Sequence, residues 1–375
     1  MLDHISKSQL STLTLWYLVQ HSLPSFYKLT AHFGNPECAV LAENLLRWSE
    51  LKLHRQHLQR ASNFFSPSIQ HEFARLVAQV QQSCDFIVCL DDPHYPQQLL
   101  PYVDKPPILF GQGDAAALLQ PQVAIVGSRK PSPHGQKIAY DFACTLAQHG
   151  FWITSGLAQG IDAAAHHGGL KHQRTIAVMA TGLDLTYPNF HTQLRADIIA
   201  HGGAVITEFL PQTPPLKYHF PQRNRLVSGL SLGVLVAEAA LKSGSLITAR
   251  LAAEQGKLVF AIPGHIYSPS HQGCHQLIRE GVILVDHPEQ IIEDLALPTQ
   301  WQHQQTVNLQ RDLPDLAPDL LHLYNQLDWV GQSLDQLAYK TQFSPSVLIG
   351  QLMQLELLGL AMQQSALYVR CRSGK

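Results

Sequence analysis

From about residue 122 to 295 the chain repeats one unit, a short apolar run followed by a stretch with helical spacing. The apolar runs fall at 122–126, 151–154, 175–179, 204–207, 232–236, 258–262 and 282–285, and helical patterns occupy 135–149, 189–201, 246–255 and 271–280. Runs apolar along their whole length suit strands buried on both faces. Helices interleaved with them supply the two covering layers, so an α/β, doubly wound, mostly parallel sheet of extended Rossmann-like type is expected. Right-handed crossovers then bring the strand C-termini to one edge, where such sheets bind ligands.

The flanking regions have a different texture. Residues 8–60 carry leucines and aromatics at helical spacing, broken at Ser22-Leu23-Pro24 and Phe33-Gly34-Asn35-Pro36, so a small all-α domain over 1–83 is expected. A Pro- and Asp-rich connection over 84–115 leads into an entry strand at Ile108-Leu109-Phe110-Gly111, and we take 84–296 as the Rossmann-like domain. The Gln- and Pro-rich segment 297–316 reads as a linker. Helical patterns at 318–327, 333–340 and 345–358, followed by a possible β-wing from Leu360 to Arg370, give a winged-helix-like domain over 317–375. Its third helix has no Lys or Arg between Lys340 and Arg370, which points to a protein-contact module, since a helix that reads DNA carries cations.

Composition narrows the function. With 45% hydrophobic and 14% charged residues among 375, the chain is globular. A formal net charge of −2 means that any contact with nucleic acid comes from a local patch. The six cysteines form no Cys-x-x-Cys pair, and His271, Cys274 and His275 lack the further ligand that a metal set needs, so no metal and no cofactor are expected. Neither a signal peptide nor an apolar run of ~18 residues stands out, so a cytoplasmic protein without membrane insertion is expected.

Four glycine turns follow successive strands. The first is Gly127-Ser128-Arg129, where a tight turn presents N–H groups and a guanidinium fork suited to phosphate. The second, Ser155-Gly156-Leu157-Ala158-Gln159-Gly160, ends at Asp162, which suits a capping role at a helix start. The third centres on Gly182, and the fourth is Lys242-Ser243-Gly244-Ser245, directly before a helical run. Together they predict a donor-rich crevice at one sheet edge. Between them lies Lys217-Tyr218-His219-Phe220-Pro221-Gln222-Arg223-Asn224-Arg225, in which cations alternate with rings. Residues 210–260 hold six Lys or Arg against two Glu, a local +4. Cations neutralise phosphates and aromatic faces stack bases of any sequence, so this strip predicts a surface for single-stranded nucleic acid.

These motifs, together with Phe220-Pro221-Gln222-Arg223-Asn224-Arg225, the run 242–249, Ile262-Pro263-Gly264 and Gly273-Cys274-His275, resemble the DprA/Smf family in order and spacing over about 120–295. The resemblance implies a homodimer without chemistry of its own. Such a protein binds incoming single-stranded DNA during natural transformation and loads the RecA recombinase onto it. It implies DNA contacts at Arg129, Lys217 and Phe220, with Arg223, Arg225 and Lys242 in the matching basic segments. The glycine turns themselves supply the expected phosphate contacts, at Gly127, Ser128, Ser155, Gly156, Gly182, Ser243, Gly244 and Ser245. The competing reading is a nucleotide hydrolase of the phosphoribohydrolase-like Rossmann group. That chemistry needs an acid after its glycine turn; Glu238 and Glu254 are the nearest carboxylates, and neither has a visible paired base.

Overall fold

The computed structural model describes residues 5–295, 316–327, 332–358, 360–364 and 367–370. The chain divides into two compact units, Met1–Leu297 and Pro298–Lys375. The segment read as a linker lies, up to residue 315, outside the described residues.

The first unit opens with six helices, α1 (Lys7–Leu18), α2 (Leu23–Phe33), α3 (Pro36–Ala39), α4 (Ala42–Arg47), α5 (Arg55–Ser62) and α6 (Pro67–Ser83). Ser6 and Gln9 form a reciprocal capping box that satisfies the first orphan N–H groups of α1. Trp16, Phe26, Leu29 and Trp48 are fully enclosed in a core that also takes in Phe110, Met179 and Val205. The helices and the sheet therefore share one apolar cluster.

The strands are β1 (Phe86–Cys89), β2 (Ile108–Gly113), β3 (Gln122–Gly127), β4 (Trp152–Ser155), β5 (Thr175–Val178), β6 (Ala204–Thr207), β7 (Gly233–Glu238), β8 (Leu258–Ala261) and β9 (Ile283–Leu284). They form one nine-stranded sheet in the order β1-β2-β6-β5-β4-β3-β7-β8-β9. All neighbours from β6 to β9 pair in parallel, whereas β2 runs antiparallel to β6 and β1 antiparallel to β2. The strand order reverses between β3 and β7, which sets the topological switch point there. Strand β1 is an addition to the sequence reading, four residues long and invisible to periodicity.

The crossover helices are α7 (Pro133–Gln148), α8 (Ile161–Leu170), α9 (Thr192–Ala200), α10 (His219–Leu230), α11 (Ser245–Glu254), α12 (Gln272–Arg279) and α13 (Pro288–Leu295). Leu226, Leu230, Leu246, Ala249, Cys274 and Leu277 pack from α10, α11 and α12 onto Val126, Val178, Val234 and Val236. Each fully buried aliphatic side chain contributes about 1.5–3 kcal/mol relative to exposure. Helix α10 departs from the sequence reading. The Lys/Arg–aromatic strip is a helix from His219 onward, so its side chains divide over the helix surface and do not form one row.

The second unit contains α14 (Pro318–Gln326), α15 (Leu334–Thr341), α16 (Pro345–Leu357) and an antiparallel hairpin of β10 (Ala361–Gln364) and β11 (Leu367–Arg370). Leu323, Leu337, Leu348, Leu352 and Leu355 form its core. The outer face of α16 is apolar, with Ile349, Met353 and Leu357 exposed one turn apart. Among the described residues no helix is long and apolar enough to cross a membrane, and no group of three His, Cys, Asp or Glu is placed to hold a metal.

Candidate functional site

A cavity of about 190 Å³ opens at the C-terminal edge of the sheet. It takes Arg129 from the loop after β3, Gly156, Ala158 and Gln159 from the loop after β4, and Tyr187 and Phe190 from the loop after β5. Phe220 and Arg223 enter from the first turns of α10. The cavity is smaller than the roughly 300–1,000 Å³ that engulf a drug-sized ligand, so it suits one ring or one phosphate of a longer chain. No carboxylate is found among its lining residues.

Rings and cations meet at the mouth. The Arg129 guanidinium lies over the Phe220 ring, 5.0 Å from its centroid. Tyr187 packs on the same ring at 5.7 Å, tilted by 60°. Phe190 is 66% exposed at the rim, and Lys217 is exposed three residues before Phe220. A guanidinium over an aromatic face is held in place while its remaining edge is free to meet an anion.

Behind the mouth, Arg223 forms a cationic floor. It is 4% exposed, and its Nη1 donates to the Val178 carbonyl at 2.6 Å. Burial lowers its pKa to about 10, partly offset by Asp162, so it is a cation at neutral pH. The Asp162 carboxylate accepts from the Gly156 and Ala158 amides at 3.1 and 3.3 Å. Burial raises the pKa of that carboxyl, while Arg223 and these amides pull it back. Gly156 is required by close approach, since a Cβ there would stand 1.9 Å from Arg223 Nη1. Gly160, at φ +88°, turns the chain into α8 with no room for a side chain against the Ser128 carbonyl.

Of the residues expected from the sequence, Arg129, Phe220, Arg223 and Gly156 come together here, while Lys217 is exposed three residues before Phe220 and outside the cavity lining. Others do not. Arg225 lies five positions after Phe220 on α10, where the helix turns it inward; it is buried, bonded to Glu208, with Asp104 at 3.8 Å. It is a structural ion pair with no strand-facing surface. The first three glycine turns spend part of their donors internally. Gly127 lies in the β3–β7 ladder, and the Ser128 amide donates to the Glu238 carbonyl at 2.7 Å. The Ser155 hydroxyl donates to the Ile125 carbonyl at 2.7 Å, Gly156 serves Asp162, and the Gly182 amide donates to the Thr213 carbonyl at 3.1 Å. The Ser128, Gly156 and Gly182 amides and the Ser155 hydroxyl are therefore already engaged within the protein. In the fourth turn the Ser243 and Ser245 hydroxyls bond each other at 2.6 Å, and Lys242 is exposed on the loop after β7, outside the cavity lining.

Tyr187, Phe190 and Gln159 were missed by sequence reasoning. The signal available was the aromatic pair around Pro188 after the third glycine turn. The loop bearing them is well anchored. Arg195 Nη1 donates to Thr186 Oγ1 at 2.9 Å, the Asp184 carboxylate accepts the Gln212 amide at 2.8 and 2.9 Å, and His191 Nδ1 pairs with the Leu157 carbonyl at 2.8 Å.

Comparison with known proteins gives the family. Residues 86–296 match the family model of DNA recombination-mediator protein A, and residues 308–366 match the DprA winged helix domain. The chain is 41% identical over 317 residues to protein Smf of Escherichia coli, covering 84% of each chain. It is 43% identical over 232 residues to DNA processing protein DprA of Streptococcus pneumoniae, covering 62% of this chain and 81% of that one. The X-ray structure of the Streptococcus pneumoniae protein aligns with TM-score 0.65 at 34% identity, covering 77% of this chain and 98% of that one. DNA processing protein A from Helicobacter pylori, solved for its single-stranded DNA binding mode, aligns with TM-score 0.51 at 32% identity, covering 57% of this chain and 97% of that one.

Proposed function

The chain belongs to the DprA/Smf family of DNA recombination-mediator proteins, and from that membership we propose that its sheet-edge crevice grips single-stranded DNA through Arg129, Lys217 and Phe220. The observation that carries this reading is the contact of the Arg129 guanidinium with the Phe220 ring beside Tyr187. Phosphate and base, the two features every strand repeats, are met there within one residue's reach. Stacking tolerates any base, so binding is sequence-independent. Arg223 adds a buried positive floor, and Tyr187 and Phe190 add faces for neighbouring bases.

The mediator role extends to loading RecA on the bound strand in the cytoplasm during natural transformation, with two copies acting as a homodimer. Segment 271–285 supports the dimer, because β9 closes the sheet as its last strand and exposes Leu284. The 84–296 region does the binding in this scheme, and 1–83 and 317–375 flank it as helical and winged-helix domains. The hydrolase alternative lacks support. Glu238 is fully buried as an acceptor for Ser132, and Glu254 ends α11 on the surface.

The test is an anisotropy titration with single- and double-stranded oligonucleotides of equal length at several salt concentrations. We expect tighter binding to the single strand, with log K falling linearly in log salt at about −0.7 per phosphate contacted. Equal affinity for both forms, or none for the single strand, defeats the assignment.

A further inference from the structure

We propose that the bound strand leaves the crevice past Lys217 and Tyr218 and enters a second nucleic-acid subsite, a groove between the N-terminal helices and the 210–218 loop; this rests on the single-strand reading above. The groove measures about 470 Å³, more than twice the crevice. It is lined by Arg60 of α5, Arg75 of α6, the amide side chains of Gln20, Gln79 and Gln212, and Tyr218.

The two sites are continuous along the chain. Tyr218 lines the groove, Phe220 lines the crevice, and the exposed Lys217 stands next to Tyr218. The Tyr218 ring meets His219 in a T-shaped contact and is 65% exposed, which leaves most of it open to a base. The Arg60 guanidinium is fixed 4.2 Å over the Tyr17 ring, and its Nη2 donates to the Tyr17 carbonyl at 3.3 Å, while its buried Nε has no hydrogen-bond partner. Arg75 is exposed. Glu72, the one carboxylate in the lining, is engaged by the Tyr17 hydroxyl at 2.7 Å. Two guanidinium groups, a free ring face and amides able to donate or accept are the chemistry that a polyanion carrying flat bases requires.

The experiment uses the full chain with oligothymidylates of about 4 and about 16 nucleotides, which bracket the reach of one binding fold. Arg75→Glu and Tyr218→Ala alter exposed side chains, and circular dichroism checks that both variants fold. Arg75→Glu is expected to weaken the longer strand about tenfold and to flatten its salt dependence by about one unit. Tyr218→Ala is expected to weaken the longer strand with the salt dependence kept. The shorter strand, held by the crevice alone, keeps its wild-type affinity in both. Unchanged affinity for the longer strand, or equal losses on both lengths, overturns the second subsite. Failure of the wild-type protein to bind either length would instead overturn the crevice reading on which this one stands.

Discussion

The two halves of the sheet's C-terminal edge do opposite things with the same ingredients. Over β3 to β6 the loops stand apart, and cations and rings face a cavity. At the β3–β7 reversal the edge is filled from within. Glu238, at the end of β7 and fully buried, accepts from the Ser132 amide at 3.0 Å and from its hydroxyl at 2.6 Å, with His271 Nε2 at 3.9 Å. Ser132 in turn caps α7. Open α/β sheets hold ligands where strand order reverses. Here that position is occupied by the protein's own carboxylate, which repels phosphate, and the open cavity lies over β4 and β5.

Four substitutions sharpen or break that contrast. Glu238→Leu has the largest effect. It leaves the half-buried Ser132 amide and hydroxyl without their acceptor and removes a fully buried side chain's bonds, and we expect a loss of about 3 kcal/mol in a denaturant titration, with strand affinity of the folded fraction intact. A collapse of affinity at unchanged stability would move the site to the reversal. Next, Phe220→Ala is expected to weaken single-strand binding by about 1–3 kcal/mol without altering the salt slope, whereas Arg129→Ala lowers that slope by about one unit. Anisotropy over a salt series separates the two, and identical responses would show that ring and guanidinium do not divide the work. The smallest effect belongs to Lys242→Ala on the filled half, a change within about 0.5 kcal/mol; a larger loss of affinity in the same titration would extend the interface across β7.

Much of this architecture was legible in the residues. Apolar runs such as 123–126 and 232–236 have no good alternative to a buried parallel strand, and glycine turns at their ends mark the edge. What the turns do with their amides was not legible, because the acceptors come from elsewhere in the fold. Asp162 takes the donors of Gly156 and Ala158, and the Glu238 carbonyl takes that of Ser128. Arg225 was misplaced because Phe220-Pro221-Gln222-Arg223-Asn224-Arg225 reads as an extended strip, while α10 imposes a 3.6-residue period. That period keeps Arg223 with Phe220 and sends Arg225 to Glu208. Tyr187 and Phe190 escaped notice for lack of a cationic neighbour in sequence; the fold supplies Arg129.

Arg223, walled in behind Gly156, has one more consequence. Dissolved ions screen charges on the surface of a protein far better than charges sealed inside it. In the proposed site, thickening brine weakens the pull of Arg129 and Lys217, while the buried guanidinium beneath them, partly offset by Asp162, is screened far less. A strand seated as proposed is therefore held by two kinds of attraction, one that the medium tunes and one that it reaches far less.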